Sequence, residues 1–231
     1  MPQPLPKNLT AQISLTNVVQ HRQELALNAA DVISKWANVD AMIGSLIPTL
    51  INADPRPASA VFDIVKNFEA RQNALREIAL ITISDQTDRD ILNAILKLYA
   101  STAKGRNILA HNLWGVHDQI PDGILMVDPK IISRVSTKTR AHKVNDSFEY
   151  EDALAMQKDM HESVMVWKIN DFVDLASRIS EAFFQITTFG VMLPSPDRTE
   201  RDEAARRMLL DRPTISEFVT RQKAKRSNET P

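Results

Sequence analysis

The chain has no cysteine. That excludes a disulfide framework, a thiolate nucleophile and any zinc or iron–sulfur site built on cysteine. Glycine is scarce, with five residues in 231, and long stretches rich in Ala, Leu, Ile and Asn are free of proline, which argues against a turn-rich all-β protein. No apolar run reaches the ~20 residues that a membrane helix requires, and the start "MPQPLPKNLTAQ" lacks the apolar centre of a signal peptide. The expectation is a soluble, cytoplasmic protein with no membrane contact. There is no Walker-type or G-x-G-x-x-G loop, so nucleotide hydrolysis of those types is disfavoured and no cofactor is implied. Neither sign of charge dominates: 28 basic side chains face 29 acidic ones, for a net charge of -1. A globally basic nucleic-acid binder is thereby excluded, and charge has to be read region by region.

What is present is helical periodicity. Residues 1–22 read as a Pro-rich lead-in with a short amphipathic segment. A domain then runs from 23 to 193. Its first seam, Val32, Trp36, Val39, Ile43, Leu46, Ile47 and Leu50, steps by three and four and predicts one buried stripe over 23–52, with Pro48 kinking its last turn. The turn "NADPRP" precedes a second amphipathic helix through Val61, Ile64, Val65, Phe68, Leu75 and Ile78. The short link makes the two antiparallel neighbours. Cap residues in "SDQTD" open a third helix through Ile91, Ile95, Leu98, Thr102, Gly105, Leu109 and Leu113. A last long helix, Ile169 to Phe189, closes at Gly190.

Between the third and fourth main helices the period changes. "DGILMVDPKIISRVSTKTRAHKV", residues 122–144, is rich in β-branched residues and carries turn residues Asp122, Gly123, Asp128 and Pro129, so it predicts two or three short strands inserted as a small hairpin. The stretch 194–231 reads as a polar, charged tail able to form one short surface helix. Its end, "RQKAKRSNETP", sets four positive charges against one negative.

One segment mixes chemistries. "KGRNILAHNLWGV", residues 104–116, places Arg106, Asn107 and His111 in an apolar helical run. Asn107 and His111 are four apart and share a helix face, and the long Arg106 side chain swings toward the same edge. The trio suits phosphodiester cleavage: a guanidinium forks onto phosphate oxygens while an imidazole moves protons near neutral pH, with Asn107 orienting one of them. A structural role is the alternative, with His111 satisfied in the core and Arg106 paired to an acidic neighbour.

"RNILAH" matches an Arg-x4–6-His motif with a polar residue after the arginine, and on a third helix it resembles the HEPN superfamily (higher eukaryotes and prokaryotes nucleotide-binding). Trp36, the 62–75 helix, "RNILAHNLWG" and "NDFVDLASRI" are also similar to a group of uncharacterised bacterial helical proteins, over roughly residues 25–190. The resemblance implies a mainly α fold, a four-helix up-and-down bundle carrying the small β-hairpin insertion. It also implies a metal-independent endoribonuclease, often of toxin or defence type. Such an enzyme acts on RNA as a homodimer with two Arg–His pairs facing one cleft, and an antitoxin is a further partner of that type. Many HEPN proteins are inactive binding modules, so a non-catalytic dimerisation or nucleic-acid-binding module is the rival reading.

A second set of candidates lies in the insertion. Lys130, Arg134, Lys138, Arg140 and Lys143 follow one another with no acidic residue between Lys130 and Val144, a strip that suits a phosphate backbone or else protects an exposed edge strand. His21, His117, His142 and His161 have no partners at ligand spacing, so no metal site is expected.

Overall fold

The computed structural model describes residues 2–9, 14–65, 67–145, 150–193 and 199–229. The chain is mainly helical with one small antiparallel sheet, and it divides into two compact units, residues 1–34 with 104–177 and residues 35–103 with 178–231. The divisions fall inside three long helices, α2 (Gln23–Gly44), α6 (Gln86–His111) and α9 (Ile169–Met192).

The first unit is built on four strands, β1 (Gln3–Pro4), β2 (Leu113–Gly115), β3 (Gly123–Val127) and β4 (Met165–Lys168), in the order β1-β4-β3-β2 with antiparallel neighbours. Central strand β3 is buried along its whole length. Its alternating side chains feed two apolar layers. Leu125 and Val127 join Leu5, Ile120, Val164 and Val166 on one face. On the other, Ile124 pairs with Trp167, whose ring lies 5.3 Å from that of Phe172. Gly123 is required by contact, since a Cβ there would sit 2.9 Å from both Ile120 and Val166.

The expected strands over 122–144 are thus only partly present. β3 ends at Val127, and residues 129–145 form a helix, α7 (Pro129–Asn145). The reason is local: Asp128 accepts from the Lys130 N–H at 2.8 Å and Pro129 occupies the first helical position, so the Asp-Pro read as a turn is a helix cap. The remaining strands come from segments not read as strands, "QP", "LWG" and "MVWK". The unit is completed by α1 (Val18–His21) and α8 (Tyr150–Ser163).

In the second unit, the seam expected over 23–52 divides. Ser45 separates α2 from α3 (Leu46–Ile51), and Asn52, in the left-handed region at φ 48°, ends the latter. The next expected helix divides as well, into α4 (Pro55–Ile64) and α5 (Phe68–Thr82), each started by a side-chain cap, Asp54 to the Arg56 N–H and Asn67 to the Ala70 N–H. Tyr99 organises the core. Its ring stacks between Trp36 and Phe68 with centroids 4.9 Å away on each side, and its hydroxyl donates to Asp40 at 2.6 Å.

Residues 200–229 carry two helices, α10 (Glu200–Leu210) and α11 (Pro213–Glu229), rather than one short surface helix. Thr199 and Asp202 form a capping box at the start of α10, and Ala205, Leu209, Ile215 and Val219 are buried. Among the described residues no helix is long and apolar enough to cross a membrane.

Candidate functional site

The motif occupies the last turns of α6. Gly105 is a packing point and not a break: the helix continues through it, and a Cβ there would stand 2.8 Å from both methyls of Leu175. Leu109 anchors the same stretch in the core. Beyond His111 the chain leaves the helix, and the Trp114 indole N–H returns to the Leu109 carbonyl at 2.9 Å, satisfying one of the helix's final carbonyls. These contacts fix the backbone on which the polar trio stands.

Arg106 is half-buried, while Asn107 and His111 are exposed. Arg106 Nη1 donates to Asn107 Oδ1 at 3.0 Å, which ties the guanidinium to its neighbour, and no acidic residue pairs with it among the described residues. Its Nε–H is buried and meets no acceptor. A phosphate would therefore meet the Nη donors, which are the ones left to the surface. His111 has no hydrogen-bond partner among the described residues, so it does not serve as a satisfied core histidine. That description belongs to His117, which is buried and whose Nδ1 accepts from the Gln119 N–H at 3.1 Å. His161 is bonded to the Pro6 carbonyl at 3.0 Å.

Next to the motif lies a feature the sequence did not reveal. An open groove of about 490 Å³ is lined by Leu15, Asn17, Val18, Val19, Gln20, Leu113 and Trp114. Leu15, Val19 and Leu113 remain 44%, 54% and 36% exposed, so the lead-in segment and the residues after His111 together present an apolar surface. Asn17, at φ 56°, holds the left-handed turn that starts α1. Neither the Leu15 nor the Asn17 position carries a sequence signal for this, because the pairing of Ser14 with Val116 that brings the segment here is long-range.

The basic candidates lie on α7. Lys130 and Arg134 are exposed and one turn apart, so they share a helix face, and the edge-strand explanation for them has no strand to protect. Lys138, Arg140 and Lys143 follow in the same helix, but their side chains lie outside the described residues. No group of three metal-ligating side chains occurs among the described residues. No family model, curated protein or solved structure matches the chain.

Proposed function

We propose that the protein is an HEPN-like, metal-independent endoribonuclease that works as a homodimer. The observation that carries this reading is the state of His111: an accessible imidazole without a bonding partner among the described residues, at the end of a helix whose preceding turn holds Arg106 against Asn107. A histidine with no packing duty, beside a positioned guanidinium, suits proton transfer at a phosphodiester. One His111 takes the proton of the ribose 2′-hydroxyl as its oxygen attacks phosphorus. The 5′-oxygen leaves with a proton from the protonated imidazole of the second copy, yielding a 2′,3′-cyclic phosphate and a free 5′-hydroxyl. Arg106 stabilises the charge that gathers on the non-bridging oxygens. The apolar groove beside the motif, with Leu113 and Trp114, supplies the surface through which two copies bring their pairs together. Lys130 and Arg134 hold the RNA backbone. A toxin or defence role, with an antitoxin as protein partner, belongs to the same proposal.

The same observation also supports a second reading. No hydrogen bond among the described residues orients the His111 ring, whereas a general base is usually held in place by a third group. That favours a non-catalytic dimerisation or nucleic-acid-binding module. Incubating the purified protein with mixed RNAs, with and without EDTA and beside a His111→Ala control, separates the two: His111-dependent cleavage supports the enzyme, and binding without cleavage supports the module.

A further inference from the structure

A second concave site lies wholly within the second unit and plays no part in the reading above. Its volume is about 360 Å³, at the small end of the roughly 300–1,000 Å³ range of small-molecule pockets. Three helices wall it: α6 through Ala94, Lys97, Leu98 and Ser101, the beginning of the second unit's part of α9 through Arg178, and α11 through Thr214, Glu217, Phe218 and Arg221. The spacing explains the convergence, since the α6 and α11 residues each step by three, one and three and so occupy one face of their helix.

Some arginines of the same unit are engaged, Arg206 with Asp88 and Asp85, Arg212 with Glu181 and Arg226 with Asp90, whereas the pocket gathers cations that are not. Lys97, Arg178 and Arg221 have no acidic partner among the described residues. Glu217 is the single carboxylate in the lining, which leaves three cations against one anion. An excess of two positive charges matches a phosphomonoester, which carries roughly -1.5 to -2 at neutral pH.

The donors are also arranged. Arg178 Nη2 donates to Ser101 Oγ at 2.8 Å, and that hydroxyl donates onward to the Leu98 carbonyl at 2.7 Å, so the guanidinium is steadied against the wall. The Thr214 hydroxyl oxygen accepts from the fully buried Gln185 at 2.9 Å, which directs its own hydrogen elsewhere. Phe218, half-buried, supplies a flat apolar surface beside Leu98 and Ala94, with Lys97 Nζ 5.8 Å from its ring centre.

We infer that this pocket binds a compact phosphomonoester bearing a ring or other flat apolar body, its phosphate on Arg178, Arg221 and Lys97, with the Thr214 hydroxyl as a further donor, and its body against Phe218. Glu217 beside the cations disfavours a longer polyanion, which would add charge that the pocket does not balance.

The test is calorimetric titration of the full chain with phenyl phosphate, inorganic phosphate and the neutral benzyl alcohol. Phenyl phosphate is expected to bind more tightly than inorganic phosphate, and benzyl alcohol not at all. Arg178→Gln and Arg221→Gln, both at exposed positions, should each weaken phenyl phosphate by about tenfold or more. Phe218→Leu should weaken phenyl phosphate but not inorganic phosphate, and Arg201→Gln, an exposed cation of α10 outside the pocket, should change nothing. No heat with phenyl phosphate at millimolar concentration overturns the proposal. So does equal binding by inorganic phosphate, indifference to both arginine variants, or displacement of phenyl phosphate by a short oligoribonucleotide, which would assign the charges to nucleic acid.

Discussion

Arg226 Nη2 lies 2.6 Å from Oδ2 of Asp90, and Nη1 lies 3.1 Å from Oδ1, so the last helix is forked onto a carboxylate 136 positions earlier in the chain. The two partners are unequally placed: the Asp90 side chain is 4% exposed and that of Arg226 40%. Their removal should therefore cost differently. Arg226→Ala leaves a buried carboxylate with the Gln86 amide as its one remaining side-chain donor among the described residues, and should be the more destabilising change. Asp90→Ala removes the buried charge together with its need for a partner, and should cost less. Urea denaturation of the two variants checks the order, and equal losses would mean that the burial of Asp90 is not what makes the pair matter.

Gly105→Ala sets two effects against each other. Alanine is the better helix former by about 1 kcal/mol. Against that, its Cβ would stand 2.8 Å from both methyls of the buried Leu175, which must then shift within a filled core, and overpacking costs roughly 1–3 kcal/mol. The net expectation is a loss of about 1 kcal/mol in the wild-type background, and a smaller cost of the same substitution when it is made in a Leu175→Ala background, where the clash is gone. A stabilised Gly105→Ala variant would show that Leu175 moves aside freely.

These two contacts also show where the sequence is informative. Apolar residues at helical spacing revealed the long helices, because burial on one face leaves a periodic trace. Val39, Ile43, Leu46 and Leu50 are buried as that trace requires. The trace does not show where a helix is interrupted, since Ser45 and Asn67 act through backbone bonds and caps. In residues 129–145 the β-branched content suggested strands, and the Asp128 cap with Pro129 prevailed over it. The charged end reads as a polar tail with one short surface helix, although Arg206 and Arg226 anchor it to Asp88 and Asp90, pairings that no local window contains. For the candidate site, spacing placed Asn107 and His111 on one face. The groove built from Leu15, Val19 and Trp114 had no local signature.

Asp122 and Lys168 test the sheet end. The Lys168 ammonium donates to Asp122 at 2.6 Å, and this hydrogen bond, more than the accompanying charge attraction, holds the carboxyl below its usual range. A carboxyl whose pKa is lowered by folding adds stability above its ordinary pKa, and that stability is lost as the pH falls through the lowered folded value. Wild type should therefore lose its small advantage over Asp122→Asn in acid, while at neutral pH the exposed pair contributes at most about 1 kcal/mol. Thermal melts of both proteins across the acid range measure the difference. An advantage that grows toward low pH would contradict the sign.

Lys130→Gln with Arg134→Gln addresses the exposed face of α7. If both contact a phosphate backbone, RNA binding weakens at low salt and the dependence of log K on log salt flattens by about 1.4–1.8, the release of two counterions. Filter binding across a salt series supplies the slopes. An unchanged slope would make these side chains solvated bystanders.

The catalytic proposal makes the sharpest demand on Arg106 and His111, because it requires activity and stability to separate. His111 is exposed and without a hydrogen-bond partner among the described residues, so His111→Ala should change stability by no more than about 0.5 kcal/mol. Arg106 is half-buried and bonded to Asn107, so its removal should cost only modestly more, near 1 kcal/mol. Each substitution should nevertheless lower RNA cleavage by orders of magnitude, since one removes the proton carrier and the other the cation facing the phosphate. Cleavage by the wild type should persist in EDTA and leave 2′,3′-cyclic phosphate ends, as attack by the neighbouring hydroxyl needs an acid and a base from the protein and no metal. The groove adds a further test: if one cleft holds pairs from two copies, disrupting it with Leu113→Asp should abolish cleavage and turn a dimer into a 26.0 kDa monomer. A monomeric wild type, or RNA that survives it intact while binding persists, would remove the enzyme reading and leave a helical module that holds RNA without cutting it.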